Sequence, residues 1–197
     1  MQSRLEDALA ELDALRKVDC TRDLAPHIEV LLRQAWSDED AIELRHQLIG
    51  ELQCHGRHRE AETLLLAEVA RDPADPYHSV SLAEHFHYYD INLPRSLEHV
   101  AQAITKAKAV GEFMYQALGV QARLAIEAQN WVLLESTLLE LASYEHKPGN
   151  IDVFPETDFI KRIPVGLSST PALIAYKNRL DHLRSINYST IYGARQK

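Results

Sequence analysis

A chain of 197 residues, 46% hydrophobic and 25% charged, has the balance of an ordinary globular protein. It is long enough for one substantial core, or for several small helical units that share one. No run of about 18 apolar residues occurs, which excludes a membrane-spanning helix as an expectation, and the formal charge of −8 argues against nucleic acid as a partner.

Acidic residues near the N-terminus stand where a secretory signal needs a basic and then an apolar segment, so a cytoplasmic protein is expected. Cys20 and Cys54 are too few and too far apart in the chain for a disulfide scaffold, and read as reduced thiols. Charge is unevenly spread: residues 1–75 carry −8, residues 76–159 carry −6 and residues 160–197 carry +6. The basic end is expected to pack back on the acidic body, with an acidic partner as the alternative.

Residues 3–17 form the first predicted helix, with Leu5, Ala8, Leu12 and Leu15 on one face and Leu9 widening it. Residues 1–19 are accordingly read as a leading or capping helix, with a dimer contact as the alternative. A second helix is predicted to begin between Asp23 and Pro26 and to run to Trp36, burying Ile28, Leu31, Leu32 and Trp36. Ser37 followed by Asp40 resembles a capping box with a short acid. Asp38, Glu39 and Asp40 then lie where the helix dipole favours negative charge, not where one ion could gather them.

Leu44, Leu48, Ile49 and Leu52 share one face of the helix that follows, and His55–Gly56 end it. The next helix restarts near Arg59 with Ala61, Leu64, Leu65 and Val69 inward, and Pro73 closes the unit. The small Ala61 lets two antiparallel helices approach closely. Asp75–Pro76 then cap a helix over roughly 77–89, which carries Val80, Leu82, Ala83 and Phe86. Asn92, Leu93 and Pro94 interrupt it, and a helix with Leu97, Val100, Ala101 and Ile104 follows. A further hairpin starts near Glu112, buries Leu118, Ala122 and Ala125, turns at Gln129–Asn130 and continues through Trp131, Leu134, Leu138 and Leu141.

Residues 148–170, with Pro148, Gly149, Pro155, Pro164 and Gly166, hold no helical period and form an irregular connection between the 20–147 body and the C-terminal 171–197. Thr170–Pro171 begins a last helix with Leu173, Tyr176, Leu180 and Leu183 on one face. Fraying is expected after Asn187.

Leu48, Gly56, Ala61 and Pro73 fall at spacings similar to those of the tetratricopeptide repeat, a unit of about 34 residues. Residues 42–75 resemble one such repeat, departing from it at Arg45, where an aromatic is common, and at Ile49 and Glu68, where small residues are usual. Leu118–Gly119 is similar to the first-helix signature of the same repeat. The segment Asp90–Pro94 would be a small insertion in the hairpin between. The resemblance implies an all-α, right-handed superhelix of antiparallel helix hairpins, a stack in which neighbours share one core.

It also implies that the first helices of successive hairpins line a concave groove. The implied groove positions are Glu43, His46, Gly50 and Gln53, then Tyr77, Val80, Glu84, His87 and Tyr88, then Phe113, Gln116, Val120 and Arg123. Such a mixture of aromatic surface and polar handles suits an extended peptide or a partner helix. Some members of the family grip a partner's C-terminal carboxylate there with basic residues. Here Glu43 and Glu84 occupy that face and only Arg123 is positive, which argues against that mode.

No catalytic constellation emerges. There is no Gly-x-Ser-x-Gly, no phosphate-cradling loop and no His-Glu-x-x-His, and Ser168–Ser169 have no recognisable base. His85 and His87 point about 200° apart on a helix. Glu84 with His87 lacks further ligands, and His55 and His58 have only Glu60 beside them. The histidines therefore read as surface or interface groups, with no metal and no cofactor expected. The expectation is a non-catalytic protein-interaction module, a scaffold, adaptor or chaperone-like subunit with a protein or peptide partner. The alternatives are a helical enzyme or small-ligand protein closed by 148–170, and a homo-oligomer that buries its first or last helix between copies.

Overall fold

The computed structural model describes residues 4–34, 36–144 and 158–193, and all regular structure among the described residues is helical. Residues 148–157 of the irregular connection and 194–197 of the tail lie outside them. The chain forms two compact units, Met1–Arg71 and Asp72–Lys197.

The first unit holds α1 (Arg4–Val18), α2 (Ala25–Leu32), α3 (Asp38–Cys54) and α4 (His58–Arg71). Its core is built from Ala8, Leu12, Ile28, Leu44, Leu48, Leu52, Ala61 and Leu65, so the spacings read from the sequence select the buried faces. Helix α2 packs on α3, and α3 on α4. Helix α2 is shorter than predicted. It stops at Leu32, and the half-buried Trp36 turns back so that its indole N–H donates to the Leu31 carbonyl at 2.6 Å. The Arg4 guanidinium lies 4.2 Å from the Trp36 ring centroid and holds it there.

Ser37 accepts from the Asp40 N–H at 3.2 Å and starts α3 as the sequence indicates. At the other end, Arg57 N–H donates to Leu52 O at 2.8 Å and Gly56 N–H to Gln53 O at 3.2 Å, with Gly56 at φ 73°. These bonds form a Schellman turn, which needs a left-handed residue at its centre.

The second unit holds α5 (Pro76–Tyr88), α6 (Leu93–Val110), α7 (Met114–Glu127), α8 (Trp131–Ser143), two short 3-10 turns (Asp158–Arg162 and Val165–Leu167) and α9 (Pro171–Gly193). Consecutive helices pack as antiparallel pairs, α5 on α6, α6 on α7, α7 on α8 and α8 on α9, and α5 also touches α7. Val80, Ala83, Val100, Ile104, Leu118, Ala122, Leu134 and Leu138 share one continuous core with Tyr176 and Leu180 of α9.

Ala101 is exposed, and Ala103 and Ala107 take the buried face of α6 instead. The break expected at Asn92–Pro94 falls at Tyr89–Asn92, and Leu93 and Pro94 already belong to α6. Asn92 caps α6 by accepting from Arg95 N–H at 3.3 Å, and Pro94 occupies the first turn, where no N–H is needed. The connection is thus Tyr89–Asn92, one residue longer than His55–Arg57 or Ala128–Asn130. The turn into α8 repeats the Schellman bonds of the first hairpin, with Gln129 in the left-handed position.

The part of the irregular connection that is described packs on this core. Phe159 is 1% exposed and stacks on Tyr176 at 5.9 Å between ring centroids. Arg179 of α9 donates to the Tyr144 carbonyl at 2.9 Å, tying α9 to the end of α8. Helix α9 continues past Asn187, where fraying was expected, to Gly193.

Candidate functional site

Helix α5 begins where Asp75 accepts from Tyr77 N–H at 2.8 Å and Pro76 fixes the first turn. Helix α7 begins just after Phe113. The Tyr77 and Phe113 rings meet with centroids 5.8 Å apart, so the starts of the two helices lie side by side. Further along, Arg123 of α7 donates to Glu84 of α5 at 2.9 Å. At the far ends, His87 Nε2 and a Glu127 carboxylate oxygen are 2.5 Å apart. The two helices therefore run parallel and are stitched at three levels.

Arg123 and Glu127 are four residues apart on α7, one turn, while Glu84 and His87 are three apart on α5. That spacing is why both pairs can close along one seam. Tyr88 stands beside it with 51% of its surface exposed. Its ring is backed by His87 at 4.3 Å and flanked by the Arg123 guanidinium at 5.4 Å. From Tyr77 to Tyr88 the strip is about 16 Å long at helical rise.

Arg162, in the first 3-10 turn, donates to the second oxygen of Glu127 at 2.6 Å. Burial pushes the Glu127 carboxyl up, but the hydrogen bonds from Arg162 and His87 outweigh it and hold the group below the ordinary carboxylate range.

Six residues proposed from the sequence, Tyr77, Glu84, His87, Tyr88, Phe113 and Arg123, thus come together along α5 and α7. Gln116 is half-buried on α7. Val80 and Val120 are fully buried and belong to the core beneath the strip, not to its surface. Glu43, His46, Gly50 and Gln53 are half-buried on α3, in the other unit, where Glu43 accepts from Gln47 at 2.9 Å.

The histidines are not all surface groups. His78 and His85 are 6% and 1% exposed, and His85 lies edge-on to Phe86. His55 meets Glu51, four residues back, and Asp23, 32 residues back, neither of them among the sequence neighbours named for it.

Two features resemble reactive machinery. Lys106 Nζ donates to Ser79 Oγ at 2.7 Å, and burial holds the amine below its ordinary range against the attraction of Asp75 and Asp72. Ser79 is wholly buried, however, so a substrate cannot reach its hydroxyl, and the pair instead joins α6 to α5. The other is a cleft of about 110 Å³ beside α8, lined by Trp131, Leu134, Leu138, Ile163, Leu167 and Leu173, with Glu135 as the one ionisable group among the described residues that line it. A lone carboxylate on apolar walls does not supply the convergent acid and base of a catalytic pocket.

Among the described residues, no helix is long and apolar enough to cross a membrane. No family model matches the chain, and neither does any curated protein or solved structure.

Proposed function

We propose that this chain is a non-catalytic protein-interaction module of tetratricopeptide-like build that holds a peptide or helix along the α5–α7 strip. The carrying observation is the convergence of Glu84, Arg123 and His87 around the half-exposed Tyr88. An aromatic ring with rigid flanks exposes apolar area at little cost in side-chain entropy, which is how interface anchors work. Because Arg123 is already engaged by Glu84, the strip is better suited to an apolar segment with polar edges than to a carboxylate terminus.

The experiment is affinity capture from the native cell extract at low and moderate salt with wild type, Tyr88→Ala and Glu84→Lys, and with circular dichroism as the control for folding. A stoichiometric protein retained by wild type and lost by both variants supports the module and its surface. A partner indifferent to both substitutions, or none, removes the strip from consideration and moves weight to self-association or to the cleft beside α8.

A further inference from the structure

We propose that His55 is a proton-operated clasp: as an imidazolium it fastens the connection between α1 and α2 to the end of α3, and on deprotonation it lets that connection go. The inference concerns the first unit alone and does not depend on the strip on α5 and α7.

His55 is the C-terminal cap of α3. Its Nδ1 lies 2.9 Å from the Glu51 carbonyl oxygen, one turn back, and its Nε2 lies 3.2 Å from the carbonyl oxygen of Thr21. A carbonyl oxygen only accepts. A neutral imidazole has one N–H and one lone pair, so it can satisfy one of these oxygens and must turn a lone pair on the other. Only the doubly protonated ring donates to both.

The charges around it suit a cation. The Glu51 carboxylate is 3.6 Å from Nδ1, and Asp23, from the connection itself, completes a cluster whose polar atoms lie within 4.8 Å of one another. Two other cations face the same carboxylates. Arg16 of α1 is 2.7 Å from Glu51, and Arg57, in the turn after His55, is 3.3 Å from Asp23 while also pairing with Glu60 at 2.7 Å and approaching Glu29 of α2 at 4.0 Å. The hydrogen bonds to Glu51 and Thr21 raise the imidazole above its ordinary range, burial opposes them, and Asp23 and Glu51 add to the rise.

Three donors this close could also attract a divalent cation. Both ring nitrogens face carbonyls, though, and both carboxylates already hold arginines, so the arrangement is that of a proton site. Within the connection the remaining bonds are local: Asp19 accepts from the Thr21 N–H at 3.0 Å and hydroxyl at 2.7 Å, and Asp23 accepts from Ala25 N–H at 2.9 Å. His55 and the Asp23–Arg57 pair supply its cross-links to the end of α3. Losing the first lets Thr21 and its neighbours open more often.

The Thr21 and Arg22 N–H groups, both held by Asp19 while the connection is in place, report that opening through their hydrogen exchange. The test uses the full chain. The His55 ring is titrated by NMR, and exchange at Thr21 and Arg22 is followed from about pH 6 to about pH 8. Exchange rates are divided by the intrinsic rate at each pH.

The expected result is a His55 midpoint above the ordinary 6.5 and a several-fold rise in normalised exchange at Thr21 and Arg22 across it. His55→Gln should exchange fast at every pH. Asp23→Asn, which leaves both carbonyl contacts in place, should move midpoint and exchange together to lower pH, and it serves if His55→Gln does not fold. A midpoint at or below 6.5, normalised exchange that is flat with pH, or an equal rise in His55→Gln overturns the clasp. So does stoichiometric Zn2+ binding that displaces the His55 proton near neutral pH.

Discussion

Arg45 and Glu68 are bonded to one another. Arg45 Nε donates to the Glu68 carboxylate at 2.6 Å across α3 and α4, and Glu68 is only 1% exposed. Arg71 closes the other side at 2.6 Å. Arg45 and Glu68 are also two of the positions at which residues 42–75 depart from the tetratricopeptide pattern, where an aromatic and an alanine are usual. The two positions, 23 residues apart in the chain, are joined by the fold in one ion pair.

Removing one partner leaves a buried charge poorly matched. Arg45→Ala should destabilise the first unit by about 2–4 kcal/mol, toward the low end because Arg71 remains. The double variant Arg45→Tyr with Glu68→Ala restores the apolar alternative and should recover most of that loss. Urea denaturation of wild type, Arg45→Tyr, Glu68→Ala and the double variant measures the coupling. Additive losses in the double variant would mean that the pair is not one unit.

Gly56, Ile91 and Gln129 take φ of 73°, 49° and 53° in the turns from α3 to α4, α5 to α6 and α7 to α8, and only the first is a glycine. Ile91 is 85% exposed, so its side chain contributes no packing to offset the left-handed backbone. Relief of about 1–2 kcal/mol of steric cost exceeds the roughly 0.5–1 kcal/mol of chain entropy that a glycine adds. Ile91→Gly should therefore stabilise the second unit by about 0.5–1 kcal/mol. Thermal melts of Ile91→Gly beside Ile91→Ala test this, since alanine keeps the Cβ and should gain much less.

Arg162→Glu sets two carboxylates against each other where Arg162 and Glu127 now pair at 2.6 Å. Limited proteolysis within residues 158–170 should accelerate, and adding Lys161→Glu and Arg184→Glu should not slow it. Glu127 has its carboxyl held down in the fold, so its contribution is present above the ordinary carboxylate value near 4.5 and is lost as pH falls through the lower folded value. The same segment in wild type should become cleavable in that acid window, read with an acid-active protease. Unchanged cleavage in both experiments would dissociate this segment from Glu127.

His99 has the opposite sign to His55. It stacks on Phe86 with ring centroids 5.2 Å apart, and burial holds its imidazole below the ordinary range, with Arg95 and Lys106 assisting and Glu98 opposing. The unfolded chain takes up a proton below about 6.5 that the folded chain refuses until lower pH, so His99 costs stability as pH falls through that interval. His99→Phe should remove this part of the pH dependence while keeping the stack. Denaturation midpoints of the two proteins that stay parallel across the interval would contradict it.

What could be read from the sequence was local chemistry. Ser37 and Asp75 are short oxygen-bearing side chains before apolar periods, and they cap as such residues do. The apolar spacing of α3 and α5 selects the faces that are buried. Asn92–Leu93–Pro94 mark the break between α5 and α6 but not its edge, because Asn and Pro break a helix in its interior yet begin one at its first turn.

The strip on α5 and α7 was visible as a set of positions but not as a bonded network, since Glu84 and Arg123 lie 39 residues apart. Val80 and Val120 were assigned to it by register, and their burial follows from the other half of each helix's apolar arc. The clasp left no sequence signal, because two of the atoms that define it are backbone carbonyls, one of them 34 residues from His55.

The seam between α5 and α7 carries a consequence for how these hairpins dock. Read along both helices, α5 presents an acid and then an imidazole, and α7 presents a cation and then an acid. If α7 slid by one turn, about 5.4 Å, Glu127 would arrive opposite Glu84 and the two carboxylates would repel. Leucines and alanines alone would tolerate such a slip, because one apolar ridge fits a groove much like the next. The polar seam works as a key cut for a single notch, selecting one alignment of two otherwise interchangeable helical faces.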